Sequence, residues 1–328
     1  MMMSLEFNGN DLCLKHINLD ADGCIFISFA SWSSTGKGTP FGYSFFEKHN
    51  IEAFFIIQAQ NNLWWHSSEI EEIAKITRSR KAISGKKVVL YGSSMGGYAA
   101  CHFRNIFQAD MGIAIAPQVF IDKRYLSDEK RWALDIEKIQ ERMLFDEMKN
   151  INVQKSELFV FTDFLHDADN AHISKLLQDR EVLNPMTIID VPYSNHDVAR
   201  LLTSTKVIQQ LLLYINQNGI FDYSISPLCN ELYLQDAKCF FNYFRNSFLD
   251  STKKDELKER FFMFLSQTQT KDFEALYMAS ECLSKLGMHN KAIDLIEISI
   301  TEYETRFSKN APSYLYLKRD QIYKNSNK

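Results

Sequence analysis

Five residues, Gly92-Ser-Ser-Met-Gly96, carry the types and spacing of a nucleophile turn. They fit the pattern G-x-S-x-G, directly after the apolar run Lys87-Val-Val-Leu-Tyr91 and directly before a helical run from Met95 to Phe107. A sharp strand-to-helix turn holds its central residue in a strained backbone conformation and tolerates only small neighbours, which Gly92, Gly96 and Gly97 supply. Ser94 Oγ would stand exposed at the carboxyl edge of a sheet. The helix that follows adds orphan N–H groups, and the N–H of Met95 is the expected donor to an oxyanion. Ser94 is thereby a candidate for nucleophilic attack on a carbonyl.

Such a serine needs a sheet to hold it. Short apolar runs alternate with helical stretches from about residue 11 to 215, the pattern of a parallel sheet covered by helices on both faces. Candidate strands are Cys24 to Ala30, Ile51 to Ile57, Lys87 to Tyr91, Met111 to Ala116, Glu157 to Thr162 and Met186 to Val191. Their near-continuous hydrophobicity marks strands buried on both faces. Ser68 to Ser84, Met95 to Phe107, Asn170 to Arg180 and Asp197 to Asn216 read as the helices between them. Pro117 to Ser156 is long for a crossover and carries a helical run around Glu129 to Met148, so it reads either as a small lid or as a crossover helix with a long entry loop. The expected fold class is α/β, doubly wound and mainly parallel, over residues 1–224.

In motif and in order of elements, residues 11 to 215 resemble the α/β-hydrolase superfamily. The resemblance implies a serine, an acid and a histidine in that chain order, with the acid after a later strand and the histidine after the last. His196, in Pro192-Tyr-Ser-Asn-His196-Asp197 beyond the last candidate strand, is the implied general base. The other histidines fit less well: His16 lies early, and His49, His102, His172 and His289 fall in or at the starts of helical runs. For the acid, the stretch Phe161 to Asn170 offers Asp163, Asp169 and Asp167. Asp163, nearest the strand end, comes first, then Asp169, which competes with a helix N-cap role, then Asp167 in the turn between. A second oxyanion donor is implied on the loop after the first central strand, where the backbone of Ser31 or Trp32 is the candidate, although Phe29-Ala30 replaces the superfamily's common His-Gly start. Trp64 and Trp65, after another strand on the same edge, read as a substrate wall or as core packing.

After Gly219 strand signals stop. A second, all-α domain is expected over residues 225–328, with helices at about 230–248, 255–266, 272–286, 290–303 and 312–323. Ala279 to Ile296 resembles one tetratricopeptide unit, although a generic helical hairpin suits a lone match better, and either presents a surface for a protein partner.

Composition narrows the classes. Hydrophobic residues are 45% and charged residues 24%, and 37 basic against 41 acidic residues give a net charge of −4, so nothing points to nucleic acid or an anionic membrane. The start shows no secretory pattern, and the six dispersed cysteines suit reduced thiols in a cytoplasm. No G-x-G-x-x-G after a strand, Walker A loop or H-E-x-x-H is present, and no metal or other cofactor is expected. The expectation is a serine hydrolase or acyltransferase acting on a small-molecule or glycan ester. The competing reading is a catalytically weak hydrolase-like protein whose helical tail binds a partner.

Overall fold

The computed structural model describes residues 3–32, 39–59, 64–140, 143–153, 155–179, 185–247 and 254–326. They fall into two compact units, Met1–Asn230 and Glu231–Lys328. The first is built on β1 (Ser4–Asn8), β2 (Leu12–Ile17), β3 (Ile25–Phe29), β4 (Ala53–Gln58), β5 (Val88–Ser93), β6 (Met111–Ile115), β7 (Glu157–Thr162) and β8 (Met186–Asp190). These eight pair in the order β1-β2-β4-β3-β5-β6-β7-β8. Every pairing from β4 through β3 to β8 is parallel, while β1 with β2 and β2 with β4 are antiparallel.

Burial explains which strands the sequence discloses. All residues of β3, β4, β5 and β6 are buried, as their unbroken Ile, Val and Phe content requires. By contrast β2 alternates in burial and β1 is mostly exposed at the sheet edge, so neither has the apolar run that marks the others. Around the sheet lie α1 (Tyr43–Lys48), α2 (Glu69–Ser84), α3 (Met95–His102), α4 (Ala133–Gln140), α5 (Glu147–Ile151), α6 (Asp167–Asp179), α7 (Val198–Ser204), α8 (Val207–Asn218) and α9 (Ile225–Cys229). The sheet order and its helical crossovers are those of the α/β-hydrolase type of fold.

Three expected helices are divided or shortened. The one over 197–216 is two, separated at Lys206, whose φ of 64° lies in the left-handed region. The run around 129–148 is α4 and α5, and Trp132, at φ 59°, stands just before the first of them. The one from Met95 ends at His102 rather than Phe107.

Register aligns the carboxyl ends of the parallel strands: Phe29 lies opposite Gly92, Gly92 opposite Ala114, Ile115 opposite Phe161, and Thr162 opposite Asp190. Residues just beyond these positions must share one edge. Among the described residues no helix is long and apolar enough to cross a membrane.

The second unit is helical: α10 (Ala237–Ser247), α11 (Lys254–Gln267), α12 (Phe273–Lys285), α13 (His289–Phe307) and α14 (Ser313–Ser326). The chain's change to helix was expected at 225, but α9 belongs to the first unit. Asp272 caps α12 by accepting from Ala275 N at 2.8 Å, and Gly287 (φ 75°) ends it where Met288 N donates to Leu283 O at 2.9 Å. Buried Ala279 and Ala292, on α12 and α13, bring little bulk between two helices that pack together.

Candidate active site

Ser94 joins β5 to α3 at φ 55° and ψ −117°, a conformation a non-glycine residue holds only when its surroundings impose it. The surroundings are close. A Cβ at Gly92 would come 2.3 Å from Gly96 O, and one at Gly96 would come 2.4 Å from Phe29 O. Ser94 N donates to Ile115 O at 2.8 Å, and Tyr98 N to Ser94 O at 3.0 Å, fixing the turn from both sides. Met95 is the first residue of α3, so its N–H belongs to the helical turn that lacks partners within the helix.

His196 reaches this serine from the short turn after β8, with Nε2 2.8 Å from Ser94 Oγ. Its other nitrogen, Nδ1, lies 2.9 and 3.1 Å from the two carboxylate oxygens of Asp169. Asp169 can only accept, so Nδ1 carries the proton, and Nε2 is left as the acceptor for the Ser94 hydroxyl. Asp169 is 1% exposed and sits in the first turn of α6. Burial alone would raise its carboxyl, but hydrogen bonds and charge from His166 and His196 hold it well below the usual carboxylate range. His166 Nδ1 stands 3.2 Å from Asp169 Oδ2, and Arg131 Nη1 2.6 Å from Asp169 Oδ1.

Asp163, the first choice for the acid, does not meet the histidine. It is fully buried, and its two oxygens accept from Leu165 N at 2.9 Å and from Asn195 N at 2.8 Å. It therefore ties the end of β7 to the loop carrying His196. Distance from the strand end was the wrong criterion, because the chain turns through residues 163–166 and α6 brings Asp169 back to the imidazole. Asp167 begins α6, and it is Asp169, two residues on, that hydrogen-bonds His196.

Trp64 and Trp65 are not a substrate wall. Both are 0% exposed, and left-handed φ values of 47° and 66° turn their rings into the core. Trp65 Nε1 donates to Met95 O at 2.9 Å, and Trp64 packs edge-on against Tyr98 at 6.0 Å, so the pair braces α3 from behind. Ser31 and Trp32 lie where expected, half-buried after β3; the rest of their loop, 33–38, is outside the described residues. Trp32 Nε1 donates to Asp135 Oδ2 at 2.9 Å, and its ring meets that of Trp132 at 4.5 Å.

Sequence reasoning missed what residues 117–151 do around this edge. Arg131, next to Trp132, forks between Asp169 and Glu129, and Glu129 Oε2 accepts from His172 Nε2 at 2.7 Å. Phe120 N donates to His172 Nδ1 at 3.2 Å, which fixes that tautomer. Burial pushes Glu129 up, but His172 and Arg131 more than reverse it and hold the carboxyl at about 2. Farther along, Glu147 accepts from Ile121 N and Asp122 N at 2.9 and 3.1 Å, and burial nonetheless pushes it up to about 8. His66 accepts from Leu144 N at 3.3 Å and so donates from Nε2 to Tyr98 Oη at 2.9 Å; burial lowers it to about 4. Gln118 is 1% exposed with Oε1 3.4 Å from Ser94 Oγ. The only sequence signal for these partners was the unusual length of the crossover. Among the described residues no group of three or more His, Cys, Asp and Glu side chains is arranged to hold a metal ion.

No protein-family model matches the chain, and no curated protein matches it. Among solved structures, the apo form of esterase 2 from Thermogutta terrifontis is similar at 15% identity and a TM-score of 0.47, over 67% of this chain and 96% of that one. A putative esterase from Staphylococcus aureus is similar at 15% identity and TM-score 0.47, over 67% and 84%. A sugar hydrolase from Lactococcus lactis is similar at 12% and 0.44, over 65% and 99%. Likeness at this level concerns backbone shape; the chemistry rests on the side chains.

Proposed function

We propose that the protein is a serine-dependent acyl hydrolase or acyltransferase acting on esters. The observation that carries this reading is the unbroken relay from Asp169 through His196 to Ser94 Oγ, with the serine on a strained turn at a helix N-terminus. In acylation, Oγ attacks the ester carbonyl while its proton passes to His196 Nε2. The imidazolium that forms is stabilised by ionised Asp169. Negative charge on the carbonyl oxygen is met by Met95 N–H, with the backbone at Ser31 or Trp32 as the second donor. Collapse breaks the bond to the alcohol oxygen, which takes the proton from Nε2 and leaves an ester on Ser94. Water, or a second alcohol in the acyltransferase case, then repeats the cycle with His196 as base, returning Oγ–H and releasing acid or new ester.

A fluorophosphonate probe tests the reading. Wild-type protein is expected to become covalently labelled on Ser94, and both labelling and hydrolysis of a chromogenic ester should vanish in Ser94→Ala. Labelling that persists in Ser94→Ala, or none in the wild type, would leave the interaction-protein reading in possession.

A further inference from the structure

Gln118 lies just beyond β6, after Ala116 at φ 42° and Pro117, which packs where a Cβ on Gly97 would sit, 3.0 Å away. The backbone after it is held by buried side chains at every step. Val119 O accepts from His102 Nε2 at 2.7 Å, Phe120 N donates to His172, and Ile121 N and Asp122 N donate to Glu147. The Gln118 amide nitrogen has no such fastening. Its Oε1 faces Ser94 Oγ at 3.4 Å, and its Nε2 is buried with no hydrogen-bond partner.

A buried amide end without a partner costs free energy that a bound ligand can recover. Ser94 does not supply the partner, since its single proton is directed to His196 Nε2 at 2.8 Å. The amide turns its carbonyl oxygen, an acceptor, towards the nucleophile and carries beside it an NH2 donor without a partner, together the complement of a hydroxyl group. Sheet order says which part of an ester it would meet. β6 flanks β5 on the side away from β3, towards β7 and β8, which deliver Asp169 and His196. The second oxyanion donor, the backbone at Ser31 or Trp32, lies on the β3 side. Gln118 therefore faces the half of the site where His196 returns its proton, which is the half occupied by the alcohol.

We propose that Gln118 is a specificity-determining residue that binds a hydroxyl next to the ester oxygen, so that the preferred substrates are esters of polyhydroxylated alcohols rather than of simple alkanols. This rests on the acyl-transfer reading of Ser94. The same amide serves an incoming alcohol when the acyl group is transferred rather than hydrolysed.

The test compares monobutyryl glycerol with propyl butyrate, which share an acyl group and a carbon skeleton and differ in hydroxyls, by titrating the acid released. Wild type is expected to favour the glycerol ester in kcat/KM, and Gln118→Leu to reduce the ratio of the two values by about tenfold. Gln118→Asn, which keeps the amide but withdraws it by a methylene, should reduce the ratio in the same direction. Fluorophosphonate labelling of Ser94 in each variant shows that the turn is intact, and it separates failure of this proposal from failure of the acyl-transfer reading. A wild type that hydrolyses propyl butyrate as well as the glycerol ester overturns the proposal. So does a Gln118→Leu or Gln118→Asn variant that labels normally and leaves the ratio unchanged. A variant pair sensitive instead to hydroxyls on the acyl chain, with a constant alcohol, would overturn the assignment to the alcohol side.

Discussion

Asp163 and Asp169 follow the same strand and are both out of contact with water, at 0% and 1% exposure, yet their surroundings are opposite. Asp163 faces neutral partners, two backbone N–H groups, and burial pushes its carboxyl up to about 7. Asp169 is equally buried but faces two imidazoles and a guanidinium, which hold it ionised. Burial makes a carboxyl expensive to ionise, and at Asp163 two backbone donors do not offset it, whereas the side-chain donors at Asp169 do. A carboxyl held by backbone donors alone is an anchor; one held by two imidazoles and a guanidinium can stabilise an imidazolium. The largest expected effect follows. Asp169→Asn would remove the charge and disturb the His196 tautomer, and kcat should fall by about ten-thousandfold. Asp163→Asn, assayed on the same chromogenic ester, should stay within about tenfold of wild type on the scale of a lost backbone anchor. If Asp163→Asn fell as far as Asp169→Asn, the distinction between anchor and relay would be wrong.

Arg131 sharpens the comparison, because it is the guanidinium that Asp163 lacks. It reaches Asp169 from the segment that also packs Trp132 against Trp32, so the acid and the loop after β3 are held by neighbouring residues. Its role is to position the carboxylate rather than to touch substrate. Arg131→Met should lower kcat by about tenfold, or about 1.4 kcal/mol, with little change in KM. Arg131→Lys should recover part of the loss, since it restores the charge without the fork. The proton NMR resonance of His196 Nδ1–H should also move in Arg131→Met. Equal losses in the two variants, with an unmoved resonance, would reduce Arg131 to a packing role.

How much of this was legible depended on whether the signal was local. Ser94 is defined by neighbours within five residues, and β3 to β8 by unbroken apolar runs, so both could be read. The antiparallel β1 and β2 could not, since an edge exposed to water needs no such run. His196 was found because a strand end places it, but choosing its acid required knowing how residues 163–166 turn. Arg131, Glu129 and Gln118 act across 38, 43 and 24 positions of sequence on Asp169, His172 and Ser94. Nothing in local spacing encodes such partners. Trp64 and Trp65 mislead for a related reason: tryptophans on a catalytic edge look like a binding wall until their left-handed backbone is known.

The smallest effect tests the anchor alone. With its carboxyl pushed up to about 7, folded Asp163 binds its proton more tightly than in the unfolded chain, where aspartate titrates near about 3.9. The stability drawn from that protonation is complete below about pH 4 and declines as pH rises towards the folded value. Asparagine at this position cannot titrate. At pH 5 Asp163→Asn should be destabilised by about 1–3 kcal/mol, because a backbone N–H loses a well-placed acceptor. The gap in Tm between wild type and variant should then narrow from pH 5 to pH 8, as the wild type alone loses the contribution. Buried groups that do not face it, Glu147 among them, titrate alike in both proteins and cancel in the difference, whereas Asp190 and His166, whose charges act on Asp163, contribute to it. A gap that widened towards pH 8 would mean that Leu165 and Asn195 N–H hold Asp163 ionised after all, and that the two carboxyls differ in geometry but not in charge.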